Sequence, residues 1–331
     1  MEQRSEQQAE PRTTPEASAS INPNTHIGLV TLRVADLGRS LSFYEGVLGF
    51  RSIEGGPGRA LLGAGAQGRE LAERSLRRHG EAAEGGHGGL TEGGHGGPPL
   101  LELREVPGAP PQPRRSTGLY HFAVLLPSRA DLGRALLRMA QAGLEIGQAD
   151  HLVSEALYIS DPDGNGIEIY RDRPRDTWRW AGGTVAMAVD PLDLRGLLEE
   201  GRGETWDVLP AGTRMGHIHL QVGDIPRAEE FYHGALGFDV TASMPGALFV
   251  SAGGYHHHIG LNTWQSRGAG PAPETTAGLQ SFVIALPHPQ ALEDARARLV
   301  AHGVPVQEHD GEVEVADPWR NLIRLALADG R

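Results

Sequence analysis

Cysteine is absent from this chain of 331 residues, which excludes disulfides, thiolate nucleophiles and iron–sulfur clusters. Any metal site must therefore come from carboxylates and from the 15 histidines. Long apolar runs are missing too: none approaches the roughly 18 residues that a membrane-spanning helix requires. Residues 1–24 are polar, with no apolar stretch behind a basic start, so no secretory signal is expected and this tail reads as disordered. Excess positive charge is lacking as well. The formal net charge is -12 and no basic stripe is visible, which argues against a nucleic-acid partner. The expected compartment is the cytoplasm. What is present, 39% hydrophobic and 22% charged residues, suits two globular domains, each with its own core.

Internal repetition organises the chain. The run VADLGRSLSFYEGVLGF (34–50) recurs as VGDIPRAEEFYHGALGF (222–238), each with a capping Asp, helical spacing and a Leu-Gly-Phe stop. GLYHFAVLLP (118–127) recurs as GLQSFVIALP (278–287), and DPDGNGIEI (161–169) as DPWRNLIRL (317–325). Four modules follow in the order A-B-A′-B′, at about 26–106, 118–172, 214–265 and 278–328. Module A carries a Gly-rich insertion at about 55–97, including His87 and His95, which reads as a surface loop. The linker, about 176–213, carries Trp178, Trp180 and Trp206 and is apolar enough to pack across the seam between domains at 25–175 and 214–331.

Module B is βαβββ-like. An apolar strand with His121 leads to a helix with Leu132, Leu136, Leu137 and Met139 on its apolar side. A strand at 156–159, the turn 161–166 and a closing strand at 167–170 follow. Alternation places Glu168 opposite Ile167 and Ile169, and a carboxylate facing a sheet interior needs a charged partner. Counting back five residues from Val34 and Val222 gives Leu29 and His217 in the A modules. In the B modules the first strand offers His121 and then Ser281, and the last strand Glu168 and then Arg324. Two histidines and one carboxylate thus fall in the central modules, as expected of one metal site between B and A′ and a degenerate counterpart between A and B′. His219 shares a face with His217 and is its rival as a ligand. Two His and one carboxylate form the facial pattern of non-haem Fe(II), and Mn(II) suits the same donors. The run GGYHHHIGLNTW (253–264) is expected on the last strand of A′, with His256 and His258 on one face, His257 on the other, and acid/base or supporting roles beside the metal. His151 and Tyr158 lead into the final strands of B, towards the same cavity.

These phrases, GHIHLQV, GGYHHHIGLNTW, GLYHFAV and DPDGNGIEIYRDRP among them, resemble the vicinal oxygen chelate superfamily. The resemblance covers about 26–328 apart from the insertion and is nearest to bacterial two-domain extradiol catechol 2,3-dioxygenases. It implies an α+β fold in which four βαβββ modules form two glyoxalase-like domains, each an incomplete curved mixed sheet with helices outside. The family draws ligands from the first strands of two modules and the last strand of one, which here match His121, His217 and Glu168. It puts the catalytic base at His257, with His256 and His258 as neighbours, and an active-site tyrosine at Tyr158, ten residues before the carboxylate ligand. His151, His219 and Trp264 are expected at the substrate.

In the better-known two-domain members the triad lies within the C-terminal module pair. Ser281 and Arg324 rule that out here, so B is expected to pair with A′. The implied reaction is ring opening of a small aromatic diol by O₂ beside its hydroxyls, at Fe(II) or Mn(II), giving a 2-hydroxymuconic semialdehyde-type product. The alternatives are a glyoxalase-type isomerase or lyase, and a non-enzymatic binding protein of the drug-resistance kind. Open sheet edges make a homo-oligomer the expectation.

Overall fold

The computed structural model describes residues 20–65, 98–203 and 206–328. Module A supplies strand β1 (His26–Val34), helix α1 (Leu37–Gly46), β2 (Arg51–Gly56), β3 (Arg59–Gly63) and β4 (Pro99–Glu105). Module B supplies β5 (Gly118–Leu125), α2 (Arg129–Gln141), β6 (Gly147–Asp150), β7 (Ser154–Ser160) and β8 (Gly166–Asp172). The linker forms a small hairpin, β9 (Trp180–Ala181) and β10 (Thr184–Val185), and a short helix, α3 (Leu194–Glu200). A′ consists of β11 (Arg214–Gln221), α4 (Ile225–Glu229) running into a π-helical turn at Glu230–Ala235, β12 (Asp239–Met244), β13 (Ala247–Ser251) and β14 (Ile259–Asn262). B′ consists of β15 (Gly278–Leu286), α5 (Pro289–Ala301), β16 (Val306–His309), β17 (Glu312–Ala316) and β18 (Leu322–Leu327). The repeat boundaries expected from the sequence coincide with these elements, and the capping aspartates act as expected. Asp36 and Asp224 accept from the amides of Arg39 and Arg227.

The two eight-stranded sheets exchange modules between the sequence halves. One runs β16-β17-β18-β15-β1-β4-β3-β2 and joins A to B′; the other runs β12-β13-β14-β11-β5-β8-β7-β6 and joins A′ to B. The inferred pairing of B with A′ is therefore the pairing observed, and neither half, 25–175 or 214–331, closes a sheet by itself. In the A′/B sheet, β11 lies antiparallel to β5 at the centre, and each is flanked by the parallel closing strand of its own module. Period-2 alternation sorts the faces. Phe122, Val124, Ile167, Ile169, Ile218 and Leu220 enter the main core, leaving His121, Glu168, His217 and His219 for the other, concave face. Register shifts in β11 between Met215 and His217, and between His219 and Leu220, mark bulges on either side of the two histidines.

The turns at 161–165 and 317–321 fasten one sheet to the other. Asp161 accepts from the amides of Asp163 and Asn165, from Asn165 Nδ2 and, at 2.8 Å, from the Tyr44 hydroxyl of α1. Asp317 repeats the arrangement with Trp319, Asn321 and, at 2.9 Å, Tyr232. Each clamp joins a helix of one sheet's module to a turn of the other sheet.

Three expectations need correction. Residues 1–19 of the tail lie outside the described residues, but its end is packed: Ile21 is buried and its amide donates to Gly237 O at 2.7 Å. The insertion begins later than position 55, because β2 and β3 form a hairpin through Gly63; His87 and His95 lie outside the described residues. The histidine run does not sit on a regular strand. The chain turns at Gly253 and Gly254, both at positive φ, and β14 starts only at Ile259.

Candidate metal centre

His121 on β5, Glu168 on β8 and His217 on β11 arrive together from two modules. Among the described residues they are the one group of this kind, each offering a ligand atom within 4.8 Å of the others. All three are buried. Glu168 Oε2 lies 3.1 Å from His217 Nε2, which is hydrogen-bonded to it, and 3.0 Å from His121 Nε2. That second approach lacks hydrogen-bond geometry, so His121 Nε2 is a buried nitrogen without a hydrogen-bond partner. Such an orphan is rare unless something else is meant to meet it. His217 Nδ1 is also unpartnered, and its ring is held by packing against His257 and Tyr170, at 4.2 and 4.9 Å between centroids. Burial pushes the Glu168 carboxyl up, but His217 and His121 outweigh it and hold the group well below the usual carboxylate range. Burial lowers His121, with Glu168 opposing. Glu168 held as the anion and His121 biased towards the neutral ring are states in which both can coordinate a divalent cation, and the donor set of two imidazoles and one carboxylate fits Fe(II) or Mn(II).

His219, the rival ligand, faces the same side but has another partner, with Nε2 3.0 Å from Asn262 Nδ2. It stacks edge-on to His121 at 4.9 Å. Burial, then the charges of His121 and His217, push His219 well below the ordinary histidine value. Gly260 stands beside His219 in the β11/β14 register, where a Cβ would meet the His219 ring at 2.9 Å. No side chain from that strand position can join the cluster without displacing His219.

The histidine run divides in two. His256 Nε2 donates to Asp172 Oδ1 at 2.9 Å, and His256 Nδ1 lies 2.8 Å from His257 Nδ1. In the neutral rings this fixes both tautomers: the proton of His257 sits on Nδ1 and its Nε2 is the basic nitrogen. Burial, then the charges of His217 and His256, hold His257 well below the ordinary histidine value. His258 turns away and accepts, through Nδ1, from Ser251 Oγ at 3.0 Å and from the Ala252 amide at 3.2 Å. Tyr255 also donates to Asp172 Oδ1, at 3.0 Å. Asp172 was not singled out by the sequence reading, although alternation along β8 puts Glu168, Tyr170 and Asp172 on one face.

On the opposite flank, the Tyr158 hydroxyl lies 2.6 Å from His151 Nε2, while His151 Nδ1 lies 2.7 Å from Ala188 O. The carbonyl requires a proton on Nδ1, so Nε2 of the neutral ring accepts and Tyr158 donates. Burial, followed by the Glu168 charge, raises the Tyr158 hydroxyl well above its ordinary value and keeps it protonated. A cavity of 360 Å³ opens beside these groups, lined by His121, Tyr158, Tyr120, Gln221 and Arg114. Tyr120, missed in the sequence, bridges inside and outside: its ring is 5.3 Å from His121 and 5.5 Å from Trp264, which is 50% exposed.

Similarity to known proteins follows the same boundaries. The model of the Glyoxalase/Bleomycin resistance protein/Dioxygenase superfamily matches residues 26–169 and 214–325. A protein of Bacillus subtilis (strain 168) named catechol-2,3-dioxygenase is 44% identical over 303 residues, covering 90% of this chain and 96% of its own. Among solved structures, a proposed dioxygenase from Bacillus subtilis aligns with TM-score 0.57 at 15% identity, over 94% of this chain and 87% of that one. Glyoxalase I from Zea mays aligns with TM-score 0.51 at 15% identity, over 92% of each chain. At such identities the structural likeness concerns the fold alone.

Proposed function

The chain belongs to the Glyoxalase/Bleomycin resistance protein/Dioxygenase superfamily, and from that membership and the site's geometry we propose that it is an extradiol catechol 2,3-dioxygenase. The observation that carries the proposal is the convergence of His121, Glu168 and His217, together with the 44% identical relative of that name. The reaction assigned is catechol plus O₂ to a 2-hydroxymuconic semialdehyde-type product. Both oxygen atoms enter the product, and the C–C bond beside the diol breaks. His121, Glu168 and His217 would hold Fe(II), or Mn(II) in its place. Bound there, the metal would supply the redox centre and open positions at which the diol and O₂ meet.

The remaining steps fall to the chain's own side chains. His257 Nε2 takes a proton from a catechol hydroxyl, and its low proton affinity lets it give that proton back. Asp172 acts through His256 as a positioning residue, keeping the accepting nitrogen of His257 the correct one. Tyr158, whose one hydrogen goes to His151, stays a neutral phenol beside the diol and offers it an oxygen lone pair. His219, anchored by Asn262, and the Tyr120–Trp264 wall confine the substrate ring. Burial of the cluster keeps bulk water from the reacting oxygens. We place the enzyme in the cytoplasm, as a homo-oligomer; no helix among the described residues is long and apolar enough to cross a membrane.

The glyoxalase-type alternative requires a fourth ligand, a carboxylate on the last strand of an A module. Gly260 stands at that place in A′ and His219 fills the space in front of it, which favours the dioxygenase. The test is anaerobic reconstitution with Fe(II), then O₂ uptake with catechol and appearance of a yellow ring-opened product. Stoichiometric uptake, lost in Glu168→Ala and His121→Ala, is expected. No uptake with Fe(II) or Mn(II) across several catechols refutes the reading.

A further inference from the structure

Two cavities meet at the mouth of the proposed site. The inner one, of 360 Å³, runs from His121 and Tyr158 outward to Arg114 and Gln265. The outer one, of 950 Å³, shares Arg114 and Gln265 and adds Arg115, Arg267 and Trp264. No aspartate or glutamate lines either cavity. The three arginines are exposed and make no ion pair or hydrogen bond among the described residues. Several arginines on other parts of the surface are matched with acids: Arg129, Arg171 and Arg173 share Glu155, Arg59 and Arg104 share Glu102, and Arg324 meets Glu312. Against a formal net charge of -12, three guanidinium groups at one opening, with no acid lining either cavity, form a local positive field there.

The rim is also built rather than incidental. Arg114 and Arg115 come from the segment joining modules A and B, whereas Arg267 follows β14 of A′. The two segments are fastened by the Thr117 amide to Gly270 O at 2.9 Å and by the Ala272 amide to Thr117 O at 3.3 Å. Between this rim and the buried end of the cavity stands the Tyr120–Trp264 wall. A ligand with its diol at His121 and its ring along that wall points its remaining substituent at the arginines.

We propose that the preferred substrate is an aromatic diol bearing a carboxylate on a short arm, and that Arg114, Arg115 and Arg267 select for that charge. The assignment of the diol end rests on the ring-cleavage reading; the assignment of the rim rests on the cavities and their charges. Planar guanidinium groups pair carboxylates in bidentate geometry. In a water-filled rim each such pair is weak, so the three together should favour the anion about tenfold, with strong dependence on salt.

The test compares 3-(3,4-dihydroxyphenyl)propionate with its methyl ester, which keeps the shape and removes the charge. Affinities are measured anaerobically by tryptophan fluorescence titration of the full-length protein, with and without Fe(II). At low salt the acid should bind about tenfold more tightly than the ester. That ratio should shrink towards one at high salt and in an Arg114→Gln/Arg267→Gln variant, whereas Arg267→Lys should keep most of it. Equal affinities, tighter binding of the ester, or a ratio that the glutamine substitutions leave unmoved overturns the proposal. Because the readout is binding, loss of catechol turnover with the ratio intact would sink ring cleavage alone. Turnover of catechol with no acid preference would sink the arginine rim alone.

Discussion

Asp172→Asn tests the histidine chain most directly. The Asp172 carboxylate accepts from His256 Nε2 at 2.9 Å and from the Tyr255 hydroxyl at 3.0 Å. It thereby demands the proton on His256 Nε2, leaves His256 Nδ1 to accept from His257 Nδ1 at 2.8 Å, and frees His257 Nε2 for the role of base proposed for it. Asparagine can keep this order only by presenting its carbonyl, which removes the charge that favours a protonated histidine pair. A hydrogen bond to a charged group contributes about 1.5–3 kcal/mol against about 1 for a neutral one. The Asp172 side chain is 21% exposed, so the lower part of that range applies. The difference, about 0.5–1.2 kcal/mol, lowers kcat about 2- to 8-fold. If the amide turns its NH₂ towards His256 instead, the chain inverts, the base carries its proton on the wrong nitrogen, and the loss approaches the ~10⁴-fold seen when a triad aspartate becomes asparagine. The assay is steady-state O₂ uptake with catechol on iron-loaded protein, with iron content and KM measured beside kcat. His256→Gln breaks the same chain one link later, so the double variant should be hardly worse than the worse single variant. A kcat within about twofold of wild type at unchanged iron content, or simple additivity in the double variant, would refute the relay.

The two rival histidines separate by metal binding: His217→Ala should abolish stoichiometric Fe(II) uptake, whereas His219→Ala should retain the metal and lose substrate affinity; equal iron content in both would refute that assignment, and the opposite pattern would reverse it. Removing one donor from each buried aspartate, as Tyr44→Phe and Tyr232→Phe, should destabilise by about 1–2 kcal/mol apiece, or roughly 2–4 °C of melting temperature per kcal/mol. The two clamps share no partner, so calorimetry should find their effects additive. Stability should also fall in mild acid through His258, whose pKa burial and then the His256 charge lower from 6.5 to about 3. The unfolded chain takes up that proton as pH drops below the ordinary value and the native state does not, so the contribution is complete above pH 6.5 and lost towards pH 3. Urea unfolding of metal-free His258→Gln between pH 7 and 4 should show a flatter pH slope than wild type; identical slopes would exclude the mechanism.

Much of this was legible because the chain repeats itself. Repetition supplies phase: aligning Val34 with Val222 picks out His217 against Leu29, and the mismatch of Glu168 with Arg324 separates the two cups; His217 and Glu168 do converge in the fold. Strand alternation then placed Glu168 on the concave face correctly, since β8 is regular from Gly166 to Asp172. Reasoning by alternation failed at His256–His258 because it presumes a strand. Gly253 and Gly254 turn the chain first, so His256 and His257 become hydrogen-bonded neighbours instead of facing opposite ways. The Asp172–His256 bond spans 84 positions and two modules, and no local pattern encodes it. Likewise β2 and β3 were hidden by glycine-rich composition, and only pairing with β4 reveals the hairpin. Arg114, Arg115 and Arg267 carry no motif, and their proximity follows from two loops being tied through Thr117.

The two sheets show what duplication followed by divergence does to one scaffold. At the position of Gly260 the A/B′ sheet carries Glu102, buried and bonded to Thr31, Arg59 and Arg104. At the position of His121 it carries Ser281, opposite Thr31 in register, and at that of Glu168 it carries Arg324, paired with Glu312. Its concave face is thus closed by its own ion pairs, and Ser281 and Leu29 stand where His121 and His217 stand in the other sheet. In the A′/B sheet Glu168 meets imidazoles in place of guanidinium groups, and His121 Nε2 has no hydrogen-bond partner, an arrangement that a cation would complete. Since His121 and Glu168 belong to the first half of the chain and His217 to the second, that cation would also bridge the halves. Metal affinity is then part of the free energy that holds the exchanged modules together, and a site in one sheet stabilises both through the Tyr44–Asp161 and Tyr232–Asp317 clamps.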